Sequence, residues 1–209
     1  MRIHRLIVSV VLALIAASAS AASTARAELK KFFATTQSYT AQFRQTVLDS
    51  SLNTVEESSG RMALKRPGKF RWDYDPPARQ HVISDGNKVW IYDLDLQQIT
   101  ARKADKALGR TPAMMLAGGD DLDANFTVRE IGAQGAQLWV GLKPRDEEGN
   151  FSDLRVGFQD GALAVMELVD MLGQTTRIVF SDGRANVDIP AERFAFVVPK
   201  GVDLIDESQ

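Results

Sequence analysis

The chain has 209 residues, no cysteine, two histidines, and 25 basic against 27 acidic residues for a formal charge of −2. That balance argues against a nucleic-acid partner, and the missing thiol excludes disulfides, a thiol nucleophile and a cysteine-built lipid anchor. With so few imidazoles, neither a zinc site nor any other metal or cofactor is expected.

Met1 to Arg5 is a short basic head and Leu6 to Ala17 an apolar run too brief to span a bilayer. Ala25-Arg26-Ala27 offers a small-x-small cleavage site, so residues 1–27 read as a secretory signal peptide and residues 28–209 as a single domain. Removing Arg2, Arg5 and Arg26 leaves 22 basic against 27 acidic residues, a mature charge of −5. The expected product is a soluble extracytoplasmic monomer that relies on its apolar core alone.

Glu28 to Ser38 carries Leu29, Phe32 and Phe33 on one helical stripe, and then Tyr39, Ala41 and Phe43 change to the two-residue period of a strand. In Met62 to Pro77 one parity gives Met62, Leu64, Arg66, Gly68, Phe70, Trp72 and Tyr74, an apolar face interrupted by one guanidinium. Aspartate–glycine steps at Asp85-Gly86, Asp160-Gly161 and Asp182-Gly183 supply the positive φ that tight hairpins need. Ala104 to Leu108 reads as a helical piece. Thr111-Pro112 gives an N-cap and a first-turn proline before a short helix, Ala113 to Ala117, stopped by Gly118-Gly119. Further strands are expected at Phe126 to Ile131, Leu138 to Leu142, Met166 to Val169 and Phe194 to Val198.

The fold class that follows is mainly β with short helices, an incomplete antiparallel barrel whose opening is covered by helices. Helices this short and this apolar cannot stand alone in water and must lie on an apolar surface. Met62, Leu64, Phe70, Trp72 and Tyr74 would line that interior with Met114 and Met115, a methionine pair suited to a surface that repacks. For any one of these residues taken singly, a plain core is the commoner fate.

Arg66 cannot remain unpaired on such a face. Either Pro67-Gly68 forms a bulge that turns it to solvent, or it reaches the unsatisfied carbonyls at helix C-termini, where five fixed donors and the helix dipole favour it. Composition rates the two equally.

"SSGRMALKRPGKFRWDYDPP", "VISDGNKVWIYDLDLQQITA", "TPAMMLAG" and "FAFVVPKGVDLID" occur in this order over nearly the whole mature chain. Together they resemble the LolA family of periplasmic lipoprotein carriers. The resemblance implies an α-helical lid over a hydrophobic cavity that holds the acyl chains of acylated lipoproteins. It also implies loading by an inner-membrane ATP-driven lipoprotein-releasing complex and delivery to an outer-membrane receptor lipoprotein. Arg66 matches the arginine of the family's Lys-Arg-Pro motif, which binds lid carbonyls; here those would belong to Phe33, Leu116 and Ala117. Phe70 matches an aromatic position that matters for productive interaction with cargo or partner. Ala63 and Ala113 stand where better-known members carry large aromatics.

Two other classes compete. A carboxylate-dependent hydrolase would draw on Asp73 with Asp75, Asp93 with Asp95, or Asp120 with Asp121, although such pairs commonly serve turns, and His81 with Ser84 is a weaker hint. An envelope lipid- or lipoprotein-sensing domain of the same shape would use the basic clusters Lys65, Arg66, Lys69, Arg71 and Arg102, Lys103, Lys106, Arg110 to dock acidic partners, where simple solvation is the commoner fate.

Overall fold

The computed structural model describes residues 24–104, 112–118, 122–145 and 151–208. The leader core, most of the Ala104 to Leu108 piece, Thr111, the Asp120-Asp121 pair, Lys106 and Arg110 lie outside them.

Helix α1 (Ala25–Thr35) is followed by β1 (Ser38–Leu48), β2 (Thr54–Lys65), β3 (Lys69–Tyr74), β4 (Gln80–Asp85), β5 (Lys88–Asp93) and β6 (Gln98–Lys103). After α2 (Pro112–Ala117) and α3 (Leu122–Asn125) come β7 (Phe126–Gln134), β8 (Gln137–Pro144), β9 (Phe151–Gln159), β10 (Ala162–Asp170) and β11 (Thr175–Ala185). A 3₁₀ turn (Ala191–Phe194) and β12 (Asp203–Asp206) end the chain's regular structure. The strands form one sheet in the order β12-β6-β5-β4-β3-β2-β1-β11-β10-β9-β8-β7. All neighbours are antiparallel except β12 on β6, and the outermost strands β12 and β7 do not pair. The barrel is therefore open.

Alternation divides the sheet into two faces. The inner face carries Tyr39, Phe43, Met62, Leu64, Phe70, Trp72, Val140, Leu154, Phe158, Met166 and Ile178, all in one buried apolar cluster with Leu29, Phe32 and Phe33 of α1 and Met114, Met115 and Leu116 of α2. Helix α1 lies against β7, β8 and β9, whereas α2 lies against β2 and β3. The two short helices thus cover opposite halves of the same apolar face.

Several local expectations change. The run from Met62 to Pro77 is two strands with a tight turn at Arg66–Gly68, where Gly68 takes φ 71°. The parity survives the turn because Leu64 pairs with Phe70 and Met62 with Trp72, so cross-strand partners share a face. Arg66 therefore sits at a hairpin tip, not on a strand face. Asp85-Gly86 and Asp160-Gly161 do connect β4 to β5 and β9 to β10. Asp182-Gly183 instead lies inside β11; Asp182 has φ 52°, but opposite it the β1 register slips between Thr40 and Gln42, so the positive φ serves a bulge. Phe194 to Val198 is no strand. Phe194 closes the 3₁₀ turn and is buried with Ala63 and Ile189 on the outer face, while Phe196 lies 5.6 Å from the Trp90 ring.

This C-terminal strap is tied to the sheet by charge. Asp73 of β3 accepts from Arg71 Nε at 2.8 Å and from Arg193 Nη2 at 2.9 Å, and His81 Nδ1 lies 2.7 Å from its Oδ1. Burial holds the His81 imidazole below its usual range; Asp73 opposes that shift, and Arg71 and Arg193 reinforce it. A folded pKa below the unfolded one means that the neutral form stabilises the fold. That contribution is whole above about pH 6.5 and is lost as pH falls through the folded value. NMR titration should place the His81 midpoint below about 6.5, and Asp73→Asn should lower it further; a rise in the variant would contradict this balance.

Candidate functional site

The C-termini of α1 and α2 converge on the β2–β3 hairpin tip. Arg66 Nη1 donates to the carbonyls of Phe32 at 3.2 Å, Phe33 at 2.9 Å and Thr36 at 2.7 Å, and Nη2 donates to the Leu116 carbonyl at 2.9 Å. Its Cζ lies 4.4 Å from the Phe33 ring centroid and 5.1 Å from that of Phe32, so the half-buried cation also rests on aromatic faces. Of the residues expected to meet Arg66, Phe33 and Leu116 do. The Ala117 carbonyl accepts instead from Gly68 N–H at 2.8 Å, which the turn at Gly68 aims at the end of α2.

Helix ends leave carbonyls without intrahelical partners, and here they are nearly all accounted for. In α1, Phe32 and Phe33 take Arg66, Phe32 also takes Thr36 N–H, and Thr35 takes Asn186 Nδ2 at 2.9 Å. In α2, Met114 accepts from Gly118 N–H at 2.8 Å, Leu116 from Arg66 and Ala117 from Gly68. The hairpin tip is itself fixed. Arg66 N–H donates to Gln37 O at 2.8 Å, and Ser84 Oγ, fully buried, donates to Gly68 O at 2.8 Å.

The sequence does not single out Thr36 or Asn186, and it marks Phe32 and Gly68 only for a helical stripe and a bulge. The Asn186 side chain accepts from Gln37 N–H at 2.8 Å as well as donating to Thr35, and the residue has φ 57°, a conformation asparagine tolerates better than most. A lone asparagine after a strand is the only trace of that in the sequence.

The residues expected to line the interior are together. Met62, Leu64, Phe70, Trp72, Met114 and Met115 belong to the buried inner cluster, and Tyr74 packs against its margin. Tyr74 Oη lies 3.2 Å from Gln45 Oε1, and burial followed by Glu56 raises its pKa to about 12. In this closed arrangement the lid side chains and the sheet's inner face bury one another. At the lid margin a cleft of about 470 Å³ opens between α1, α3 and β7, with Leu29, Phe33, Leu122 and Val128 inside it and Arg26, Lys30 and Asp123 around it.

The competing residues are engaged elsewhere. His81 faces Asp73 and Ser84 serves Gly68, on opposite parities of β4, so they form no pair. Asp93 Oδ1 accepts from the N–H groups of Asp95 and Leu96 in a turn, and Asp95 binds Arg79 at 2.6 Å. Several basic-cluster members are consumed within the fold: Lys65 donates to Ile189 O, Arg71 to Asp73 and Arg102 to Glu207.

A lidded, open β-barrel with an apolar inner face is the class of protein this geometry defines. The family model described as outer membrane lipoprotein carrier protein LolA matches residues 34–197. An outer-membrane lipoprotein carrier protein of Nitrosospira multiformis is 45% identical over 186 residues, 88% of this chain and 90% of that one. One from Chromobacterium violaceum is 42% identical over 188 residues, 90% of each chain. The crystal structure of an uncharacterized conserved protein from Thermus thermophilus shares the fold alone, with a TM-score of 0.53 at 11% identity over 86% of this chain and 95% of that one. The chain belongs to the LolA family.

Replacing Arg66 by leucine removes its bonds to the Phe32, Phe33, Thr36 and Leu116 carbonyls and leaves them short of partners. Hydrogen exchange of Thr36 and Gly118, whose amides close the ends of α1 and α2, should accelerate by about 100-fold, while the β10–β11 ladder keeps its protection. Uniform acceleration through the sheet would show that Arg66 holds the whole fold and not the lid.

Proposed function

We propose that this chain is a periplasmic carrier that takes lipoproteins from an ATP-driven releasing complex of the inner membrane. It covers their acyl chains with its inner face and lid, and passes them to an outer-membrane receptor lipoprotein. The observation that carries this reading is the convergence of two helix ends on Arg66 above the apolar inner face of the sheet.

The energetics make a closing lid useful. About forty methylenes on a tri-acylated lipoprotein, at about 0.8 kcal/mol each, would cost tens of kcal/mol to expose to water. A carrier must bury them, yet one that held them as firmly as a bilayer could not release them. Loading displaces the lid's own contacts, including the Arg66 bonds, and that displacement lowers the net affinity for cargo. Arg66 therefore acts on the side of release.

With Arg66→Leu, loading from proteoliposomes should persist while transfer to receptor-bearing membranes falls by about tenfold or more, the loss expected when charged hydrogen bonds vanish from one state only. Arg66→Lys should rescue poorly, because one ammonium cannot span carbonyls on both helices in a planar fork. Wild-type transfer kinetics in the leucine variant would sink the latch.

We also infer that the leader is cut upstream of Thr24 and not before Glu28. Thr24 Oγ1 accepts from Ala27 N–H at 3.2 Å, and Glu130 accepts from the N–H groups of Ala25 and Arg26 at 2.8 and 3.0 Å. Ala25 is fully buried and Arg26 Nη2 donates to Val128 O at 2.9 Å. Cleavage after Ala27 would discard the N-cap and first turn of the lid helix, whereas Ala19-Ser20-Ala21 offers another small-x-small site. The intact mass of the exported protein should include Thr24 to Ala27; a chain starting at Glu28 refutes this boundary.

A further inference from the structure

Buried polar groups in folded proteins almost always find hydrogen-bond partners. Among the described residues, two members of the inner cluster do not: the indole Nε1–H of Trp72 and the hydroxyl of Tyr39. Both side chains are almost wholly shielded, Trp72 at 2% exposure and Tyr39 at 4%.

The surroundings explain the lack. The Trp72 ring lies 4.7 Å from that of Phe43 and 6.2 Å from that of Phe180, and its cross-strand neighbours are Met62 and Val82. No good acceptor is among them. Tyr39 lies 5.6 Å from Phe32 of the lid, and Gly183 leaves the room its hydroxyl occupies, since a Cβ there would fall 2.0 Å from that oxygen. Phenylalanine at position 72 or 39 would fill similar space without stranding a polar group.

An indole N–H can only donate, so whatever completes it must bring an acceptor into an apolar chamber. Hydrocarbon has none, and a free carboxylate would be stripped of water with too few donors to replace it. A neutral carbonyl suits best, and in the greasy part of an acylated molecule that group is the ester or amide joining each fatty chain to its backbone. We propose that Trp72 is a specificity-determining donor whose N–H bonds a fatty-acyl carbonyl of the cargo, with Tyr39 as a second donor on the same face. This rests on the carrier reading above and adds a chemical preference: acyl over alkyl chains. It also gives the empty closed state a bond that only loading can complete.

The test compares two synthetic lipopeptides, a dipalmitoyl ester and its dialkyl ether analogue, binding to the full mature protein. Wild type should bind the ester about five- to tenfold more tightly, the scale of one buried hydrogen bond; Trp72→Phe should abolish that preference by weakening the ester and leaving the ether unchanged. In wild type, the Trp72 indole proton should move downfield on loading the ester and not the ether, a readout that does not depend on the variant folding. Equal weakening toward both ligands would reduce Trp72 to packing, and no wild-type preference or an unmoved indole proton would overturn the proposal. Failure of wild type to bind either lipopeptide would instead bring down the carrier reading, and the role of Trp72 with it.

Discussion

A guanidinium that meets the ends of two helices is the constraint on which the closed molecule depends. Helix α2 has six residues and could not persist alone, and α1 is only eleven residues long. Both are held by apolar contact with the inner face, which is not directional, and by Arg66, which is. Among the described residues its acceptors are the neutral carbonyls of Phe32, Phe33, Thr36 and Leu116. An ion pair broken on opening would strand two charges that had been stabilised only by each other. On the carrier reading, opening would return these carbonyls and the guanidinium that binds them to water, where each hydrates well, so the same contact can hold the lid and let it go.

The half of the sheet behind the hairpin tip is braced from outside. On its outer face the strap from Val187 to Ser208 adds Ile189 and Phe194 over Ala63, sets Phe196 against Trp90 and Tyr92, and lays β12 parallel to β6. Asp73 gathers Arg71, Arg193 and His81 at the middle of that face. These contacts stiffen β2 to β6, the half that carries the hairpin tip. A rigid tip gives Arg66 a fixed address, and Ser84, reaching Gly68 O from β4, conveys that rigidity to the turn. On the carrier reading, opening would then fall to α1 and α2 and not to this half of the sheet.

Much of this was legible in the sequence because alternation and turn chemistry are local. Tyr39, Phe43, Phe70 and Trp72 announce the inner face by parity, and Asp85-Gly86 and Asp160-Gly161 announce their hairpins. The hairpin at Arg66–Gly68 was hidden because a three-residue turn between Lys65 and Lys69 returns the chain with the same parity, so two strands read as one. Asp182-Gly183 has the composition of a turn, and only the β1 partner reveals that the positive φ absorbs a register slip. Phe194 looked like a strand residue because an aromatic–aliphatic run carries no mark of which surface it will cover. The partners of Arg66 were least legible of all: carbonyls have no side-chain signature, and whether Ala117 goes to Arg66 or to Gly68 is decided by a few ångströms of tertiary placement.

The inner cluster also bears on why a family of carriers would close on itself when empty. Phe70 and Leu64 are fully buried, Trp72 and Met114 nearly so, and Met115 is 6% exposed. The apolar surface that would receive acyl chains is thus already out of water before any cargo arrives. On the carrier reading, loading cannot draw on the full hydrophobic gain of burying both partners, because one partner is buried at the start. It gains the transfer of the chains and forfeits the lid's contacts with the sheet, so affinity is a difference between two large burials. Such a difference can be set anywhere between a membrane's hold and none by the size of the lid side chains. Methionines at 114 and 115, which repack with little penalty in either state, are residues with which that difference can be adjusted without remaking the sheet.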